Sequence, residues 1–393
     1  MASNLHRVFR ARDDGFINQI KPTSEQRDYL NSCRQKVRAC LKNGMASFIE
    51  EVGGNSDIVK PKFRLQGSWA YGTCNQPAHA DQEMDVDYGV YLPNKILSNG
   101  RSDMVAKAYF KAVEALLGPL ADREGWELVT EKDTCCRLTL KFQSHMDVPL
   151  YIVPDEMFDD LIEQNNMVMD SLSTTAGLNE DYVFKGYHLA LENFRAEAKL
   201  IRLDKITKIH MALRDGNWKA SDCELIRKWY AEQLDQQEDD GRQLRYIARY
   251  LKAWRDFVYQ DGGGPSSILL MVVANQQYKY VKDRDDLALL EVLKKLPNAL
   301  LGSVYEPNIP EHSEEDFNKI PKDKRQEAYD LAMELYQAVD MAQQIESPLT
   351  SIRMLKGEFG SRIPANNDYV SVSGDEPPQA AIEPAFIQPT HGG

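Results

Sequence analysis

Two aspartates two residues apart, Asp85 and Asp87 in the run DQEMDVDYGVYLP, have the type and spacing of a cation site. In an extended strand, residues i and i+2 project from one face, so both carboxylates stand together while Met84, Val86, Tyr88 and Val90 turn to the other. Like charges that close repel unless something positive compensates. A divalent cation held by oxygen ligands does so, and magnesium commonly shares such ligands with substrate phosphates. A D-x-D pair by itself fits the wet face of an edge strand better. Asp147, in HMDVPLYIVP, changes the balance, because it opens a second run whose Val148, Leu150 and Ile152 can face a core. Pairing of the two runs would bring three carboxylates together. Three suffice for two metal ions about 3.5–4 Å apart, the arrangement used for in-line phosphoryl displacement.

Gly67-Ser68 lies upstream, in QGSWAYGT. A glycine lets backbone approach a phosphate closely, and a serine adds a hydroxyl and an N–H at a helix start. Gly-Ser is more often only a turn, and it gains meaning from the acids that follow. Cations come later, in GRQLRYIARYLKAWRD, where Arg245, Arg249 and Lys252 share one helix face. Leu244, Ile247, Leu251 and Trp254 form a separate apolar stripe. A solvated charged face is the simple expectation for Arg249, whereas Lys252, nearest the apolar boundary, is the candidate to reach a triphosphate. Arg137, in TCCRLTLKF, either enters a cleft or pairs with a surface acid.

These residues need elements to carry them. A helix is predicted over Ser24 to Glu51, capped by Thr23 or Ser24, with Leu30, Val37, Leu41 and Phe48 at roughly helical spacing. From Lys60 to Pro154 the chain alternates in β fashion through MDVDYGVYLP, TCCRLTLKF and MDVPLYIVP, with a helical stretch from Ser102 to Leu117. That is the pattern of a small mixed sheet with packed helices. Beyond about Asn193 the chain turns helical, over Arg242 to Tyr259, Ile268 to Tyr278, Leu287 to Leu296 and Lys324 to Ser347. The last stretch, NNDYVSVSGDEPPQAAIEPAFIQPTHGG, is rich in Pro, Gly and acids and reads as a tail.

Composition narrows the classes. The chain has 393 residues, 42% of them hydrophobic, enough for two lobes sharing a cleft. No run approaches the roughly 18 apolar residues of a membrane helix, and the N-terminus lacks a secretory pattern, so a cytoplasmic protein is expected. Six cysteines without C-x-x-C spacing and seven scattered histidines argue for reduced thiols and against a zinc site. A net charge of −13 disfavours coating of long nucleic acid, yet leaves small anionic substrates open to a local cation cluster and metal ions.

The combination of G-S-x-x-Y, E-M-D-V-D-Y-G-x-Y-L-P and H-M-D-V-P-L-Y resembles the cGAS/DncV-like nucleotidyltransferases of bacterial anti-phage signalling. RDDGFINQIKPTSEQ, ALRDGNWKASD, YLKAWRD and GGPSSILLM extend the likeness over roughly residues 8 to 362. It implies an α+β fold: a polymerase-β-like nucleotidyltransferase lobe with a mixed sheet, a helical lobe, and the active site in the cleft between them. On that pattern residues 1–200 form the catalytic lobe with a spine helix, 201–362 the helical lobe, and 363–393 a flexible tail. DGGGPSS carries an extra residue beside the family's shorter loop, and the chain from Tyr305 to Phe317, around Glu311, departs from the pattern.

The resemblance further implies a magnesium-dependent synthase, with two Mg²⁺ ions or Mn²⁺ in their place, joining ATP and GTP into 3′,3′-cyclic GMP–AMP. Asp85, Asp87 and Asp147 would be catalytic and hold the metals. One metal on all three would activate the acceptor 3′-hydroxyl, and the other on Asp85 and Asp87 would carry the triphosphate. Gln66, Gly67, Ser68, Tyr71, Arg137, Ser221, Lys252 and Ser267 match nucleotide-contacting positions. A downstream effector activated by the cyclic nucleotide is the implied partner. The chain ends in Gly392-Gly393, and some family members have their C-termini joined to other molecules by ubiquitin-transfer-like partners. A tail that merely finishes in two glycines stands equally beside conjugation at Gly393. A synthase of another cyclic di- or oligonucleotide and an RNA-tailing enzyme of the same fold are the rival functions. The second should show a basic track that the acidic balance disfavours.

Overall fold

The computed structural model describes residues 3–51, 59–94, 102–155, 158, 209–221, 223–239, 241–309 and 312–372. Two short helices come first, α1 (His6–Arg10) and α2 (Phe16–Ile20). Both pack on the C-terminal half of the chain. Phe9 and Phe16 are fully buried against Tyr250 and Phe359, in ring pairs whose centroids lie 5.0 to 6.1 Å apart. Such pairs add about 0.5–1.5 kcal/mol each beyond the burial itself. The buried carboxylates Asp285 and Asp286 fix the same end: Leu5 N–H donates to Asp286 at 3.0 Å, and Arg10 pairs with Asp285 at 3.3 Å. Residues 3–20, grouped with the catalytic lobe from the sequence, thus pack with the helical core.

Next come α3 (Ser24–Gly44) and α4 (Ala46–Glu51), where one continuous helix is predicted. Thr23 and Gln26 form a reciprocal capping box, and Leu30, Cys33, Val37 and Leu41 are the buried stripe. Gly44 passes so close to Leu116 that a Cβ there would collide with it. The sheet begins with β1 (Lys62–Gln66), followed by the short helix α5 (Gly67–Ala70) and β2 (Met84–Pro93). Helix α6 (Ser102–Glu124) runs past its expected end at Leu117 and leads to β3 (Glu127–Val129), β4 (Cys135–Leu140) and β5 (Ser144–Val153). Two short strands, β6 (His210–Ala212) and β7 (Trp218–Ala220), complete a seven-stranded mixed sheet in the order β1-β2-β5-β4-β3, with β6 beside β5 and β7 beside β6. Only β2 and β5 run parallel among these pairs. Helices α3, α4 and α6 cover one face, burying Met84, Val86, Tyr88, Val90, Val148, Leu150 and Ile152. On the other face, Asp85, Asp87, His145 and Asp147 stand at one end of β2 and β5, while Tyr91, Tyr151 and Val153 pack with Phe158, Ile209 and Met211 at the other.

The second core is helical: α7 (Cys223–Asp235), α8 (Arg242–Val258), α9 (Ser267–Gln277), α10 (Asp285–Leu293), α11 (Leu296–Leu301), α12 (Arg325–Gln344) and α13 (Pro348–Phe359). The predicted helices Leu287 to Leu296 and Lys324 to Ser347 correspond to α10 and α12, and α11 and α13 follow where no helix is predicted. Pro297 sits in the first turn of α11, and Ser347-Pro348 starts α13 as cap and first-turn proline. Residues 363–372, read as the start of the tail, are packed. Ile363 and Val370 are buried, Ser371 bridges Asn4, and the Arg7 guanidinium lies 4.9 Å over Tyr369. Apolar Ile363 and Val370 explain why this stretch docks despite its polar neighbours. The boundary at 200/201, Glu311 and Gly393 lie outside the described residues. Cys33, Cys40, Cys74, Cys135 and Cys136 are free thiols, as expected. Among the described residues no helix is long and apolar enough to cross a membrane.

Glu358, on α13, is half-buried, and burial together with the like charge of Glu334 raises its pKa from 4.5 to about 7. A carboxyl whose folded pKa lies above its unfolded value binds more protons when folded, so its contribution to stability falls as pH rises from about 4.5 to 7. E358Q should therefore match the wild-type melting temperature near pH 5 and exceed it by a few degrees at pH 8. Equal melting temperatures at both pH values would refute the buried-charge assignment.

Candidate active site

Register aligns the polar face. Gln66 on β1 pairs with Asp87 on β2, Asp87 with Asp147 on β5, and Asp147 with Arg137 on β4, forming one row across the sheet. A second row places Asp85 beside His145. Side chains in register on adjacent strands share a face and lie close together. The sheet therefore brings Asp85, Asp87 and Asp147 to one place, as the alternating pattern predicts.

Arg137 answers one charge. Its Nε donates to Asp147 Oδ1 at 2.6 Å and its Nη2 to Oδ2 at 2.8 Å, a two-pronged pair of the kind that holds a carboxylate rigidly. The hydrogen bond to Asp147 leads among the causes that raise the Arg137 pKa. His145 faces another acid: Nε2 lies 3.0 Å from Asp85 Oδ1, and Nδ1 lies 2.8 Å from Glu83 Oε2. Burial works against a charged imidazole, but the Asp85 contact more than offsets it and the His145 pKa is raised. Among the described residues Asp87 has no such partner. Burial first, then the charges of Asp85 and Asp147, push its carboxyl up to about 7.

This donor set fits a divalent cation. Ligand atoms of Asp85, His145 and Asp147 lie within 4.8 Å of one another. Asp85 Oδ1 and His145 Nε2 are close in distance but poorly aligned, and neither atom has an aligned hydrogen bond among the described residues. A cation would relieve both this and the crowding that keeps Asp87 near neutrality. Oxygen-rich donors of this kind suit magnesium or manganese.

Gly67 starts the turn after β1 with φ +59°, a left-handed conformation, and a Cβ there would collide with Asp87 Oδ2. Glycine is required on both counts. Ser68 Oγ reaches the Asp85 carbonyl at 3.5 Å, and Ser68 O accepts from Thr73 N–H at 2.8 Å. Gln66 is buried, its amide donating to the Tyr91 hydroxyl and accepting from Tyr151 at 3.1 Å, so its side chain holds two stacked rings. Half-buried Tyr71 sets its ring edge-on to Tyr230, 6.1 Å away. Ser221 lies at the end of β7, its N–H donating to Ile209. Ser267 Oγ, at the start of α9, accepts from Arg255 at 3.1 Å.

The basic face of α8 corrects one expectation. Arg249 is not solvated: it is 6% exposed and donates to the Gly72 carbonyl at 2.9 Å and the Cys74 carbonyl at 2.6 Å. Lys252, 4% exposed, donates to the Thr73 carbonyl at 2.6 Å, and burial lowers its pKa to about 8. A helical spacing of cations cannot distinguish water from backbone carbonyls as the partner. Further along the same loop His79 Nε2 lies 2.8 Å from the Phe257 carbonyl, and Gln82 donates to the Asp256 carbonyl at 2.6 Å. The segment from Gly72 to Gln82 is thus fastened along α8 just before it enters the acidic strand. Glu83 and His145 escaped the sequence reading. Glu83 precedes Asp85 by two residues and His145 precedes Asp147 by two, so the alternation used for the aspartates also reaches both.

Comparison with known proteins agrees with this geometry. A family model described as the nucleotidyltransferase domain of cyclic GMP-AMP synthase DncV-like proteins matches residues 61–151, and one for the cyclic GMP-AMP synthase C-terminal domain matches residues 241–372. A cyclic GMP-AMP synthase of Escherichia coli is 30% identical, over 86% of this chain and 75% of that protein. A cyclic GMP-AMP synthase of Vibrio cholerae is 24% identical over 99% of both. The crystal structure of Vibrio cholerae DncV cyclic AMP-GMP synthase with the linear intermediate 5′ pppA(3′,5′)pG superposes with a TM-score of 0.71 at 21% identity, covering 95% of this chain and 100% of that one. A structure of the same enzyme with nonhydrolyzable GTP gives 0.71 with equal coverage. The fold is the polymerase-β-like nucleotidyltransferase fold with its helical companion.

The Gly67–Asp87 contact is open to test. G67A should destabilise the protein by about 1–2 kcal/mol from the left-handed backbone alone. By displacing the Asp87 carboxylate it should also slow nucleotidyl transfer by about 10²-fold, the effect of a misplacement near 1 Å. Chemical denaturation and turnover of the purified variant read the two effects separately. Turnover within a few-fold of wild type would mean that the Asp87 position does not matter.

Proposed function

The chain belongs to the DncV-like nucleotidyltransferase family, and from that premise we propose that it joins ATP and GTP into 3′,3′-cyclic GMP–AMP. The single observation that carries the site is the register pairing of Asp87 with Asp147 beside Asp85, which gathers three carboxylates on one sheet face. Relatives over most of this chain are cyclic GMP-AMP synthases, which supports the choice of product.

In this reading Asp85, Asp87 and Asp147 hold two Mg²⁺ ions, with Mn²⁺ able to replace them. When bound, such ions neutralise phosphate charge and polarise the reacting oxygens. The protein's own contribution is positioning. Gly67 brings backbone against the triphosphate without a side chain in the way. Ser68 offers its hydroxyl and N–H beside it. Arg137 holds Asp147 by both oxygens, leaving its outward lone pairs for the proton of the acceptor 3′-hydroxyl. Lys252 and Arg249 act through the loop, keeping Gly72–Cys74 and thereby the Gly67-Ser68 turn at a fixed height above the acids. Tyr71, Ser221 and Ser267 border the nucleotide, while Gln66 braces the floor through its tyrosines. The linear intermediate turns round in the same cleft and reacts once more to close the ring. We place the enzyme in the cytoplasm in anti-phage signalling, where the product would activate an effector. The Gly393 terminus is a second reading for attachment to a ubiquitin-transfer-like partner.

Purified protein incubated with Mg²⁺ and all four nucleoside triphosphates should yield cyclic GMP–AMP, identified by mass spectrometry and by nuclease digestion of the linkage. The double variant D85N/D87N should lose product at least 10³-fold with an unchanged or higher melting temperature, because it removes two mutually repelling charges. A double variant that still cyclises nucleotides would refute the metal assignment. A different cyclic product from the wild type would keep the mechanism and overturn the choice of bases.

A further inference from the structure

Glu83 and His145 take no part in the chemistry assigned above, yet they touch its centre. His145 is 8% exposed and stands in register with Asp85 on the neighbouring strand. Its Nδ1 lies 2.8 Å from Glu83 Oε2. A carboxylate can only accept, so Nδ1 carries the hydrogen and donates it. That bond fixes the plane of the ring and turns Nε2 toward Asp85 Oδ1, 3.0 Å away. The approach is too oblique for a hydrogen bond, and both atoms are buried without an aligned partner among the described residues. Two buried polar atoms that converge without satisfying each other call for a third party. Ligand atoms of Asp85, His145 and Asp147 lie within 4.8 Å of one another, a span that one ion can bridge.

We propose that Glu83 and His145 complete the cation site, Glu83 holding the imidazole in place while His145 Nε2 binds the cation beside Asp85 and Asp147. The proposal rests on the reading of these carboxylates as a metal site and adds its nitrogen ligand and the residue that orients it. Metal-binding histidines nearly always give their other ring N–H to a carboxylate or carbonyl, and loss of that outer partner weakens the metal by about 10–100-fold. Glu83 is such a partner, a positioning residue outside the coordination shell. A nitrogen among the oxygens also shifts preference: imidazole suits transition metals, whereas magnesium favours carboxylates and water. The site should then hold manganese more tightly than magnesium.

Electron paramagnetic resonance on the nucleotide-free full chain with added Mn²⁺ tests this without reference to turnover. The free-ion signal gives affinity, and spin-echo modulation shows whether nitrogen binds the ion. We expect nitrogen modulation in the wild type, its loss in H145Q, and about tenfold weaker Mn²⁺ binding in E83Q. Bound Mn²⁺ without nitrogen modulation, with E83Q affinity unchanged, overturns the roles of Glu83 and His145 and leaves the carboxylate site standing. Wild-type binding no tighter than that of D85N/D87N overturns the carboxylate site and this proposal together. The wild-type spectrum decides the ligand question even if a variant fails to fold.

Discussion

Asp87 and Asp147 stand side by side because β2 and β5 run parallel in direct register, and Asp85 adds a third charge on the same face. The pairing is imposed by the core: Met84, Val86, Val148 and Leu150 must face α3 and α6, so their alternate neighbours must face away together. Hydrophobic burial thus assembles a repulsion that the sheet alone cannot relieve. The surroundings answer it in stages. Arg137 neutralises Asp147, His145 approaches Asp85, and Asp87 has its pKa pushed up.

The same acids are governed from the helical side. Arg249, Lys252 and the Asp256 and Phe257 carbonyls of α8 bind the segment that runs from Gly72 to Gln82. A backbone carbonyl left unpaired in this buried seam would cost about 1–3 kcal/mol. The loop therefore cannot drift while α8 stays in place. Gln143 reinforces it from the sheet, its amide reaching the Ala80 carbonyl at 2.8 Å from a hairpin whose Phe142 and Gln143 both have positive φ. Strain in two non-glycine residues is tolerated where the side chain so placed braces the approach to the acidic strand.

Much of this was legible in the sequence, for a physical reason. Period-two alternation identifies β2, β4 and β5 and the face of each aspartate, because burial of one face is what the alternation encodes. The helices of the second half follow from their apolar stripes. Partners reached across long sequence separations were not legible. Arg249 looks like a solvated cation until the Gly72 and Cys74 carbonyls come within reach. Phe9 and Phe16 give no sign that their neighbours are Tyr250 and Phe359. The division at Met45 falls within a periodic run, where periodicity alone carries no break. Within the site, the aspartates were found by charge repetition. Glu83 continues the same charge and alternation and was passed over, whereas His145 differs in type from the aspartates and gave no charge signal.

The clasp between Asn4 and Ser371 sets an order of assembly. Helices α1 and α2 precede the sheet in the chain, yet Phe9 and Phe16 have their partners in Tyr250 and Phe359, hundreds of residues later. The sheet from Lys62 to Val153 has its own core with α3 and α6 and needs nothing from α12 or α13 to form it. The acidic row can therefore be in register while the helical core still lacks half its walls. Without residues 348–371 the N-terminal segment has Tyr250, Asp285 and Asp286 to pack on but lacks Phe359 and Ser371. Residues 348–371 thus complete the frame, and a copy truncated before them would carry the acids without the frame that aims them.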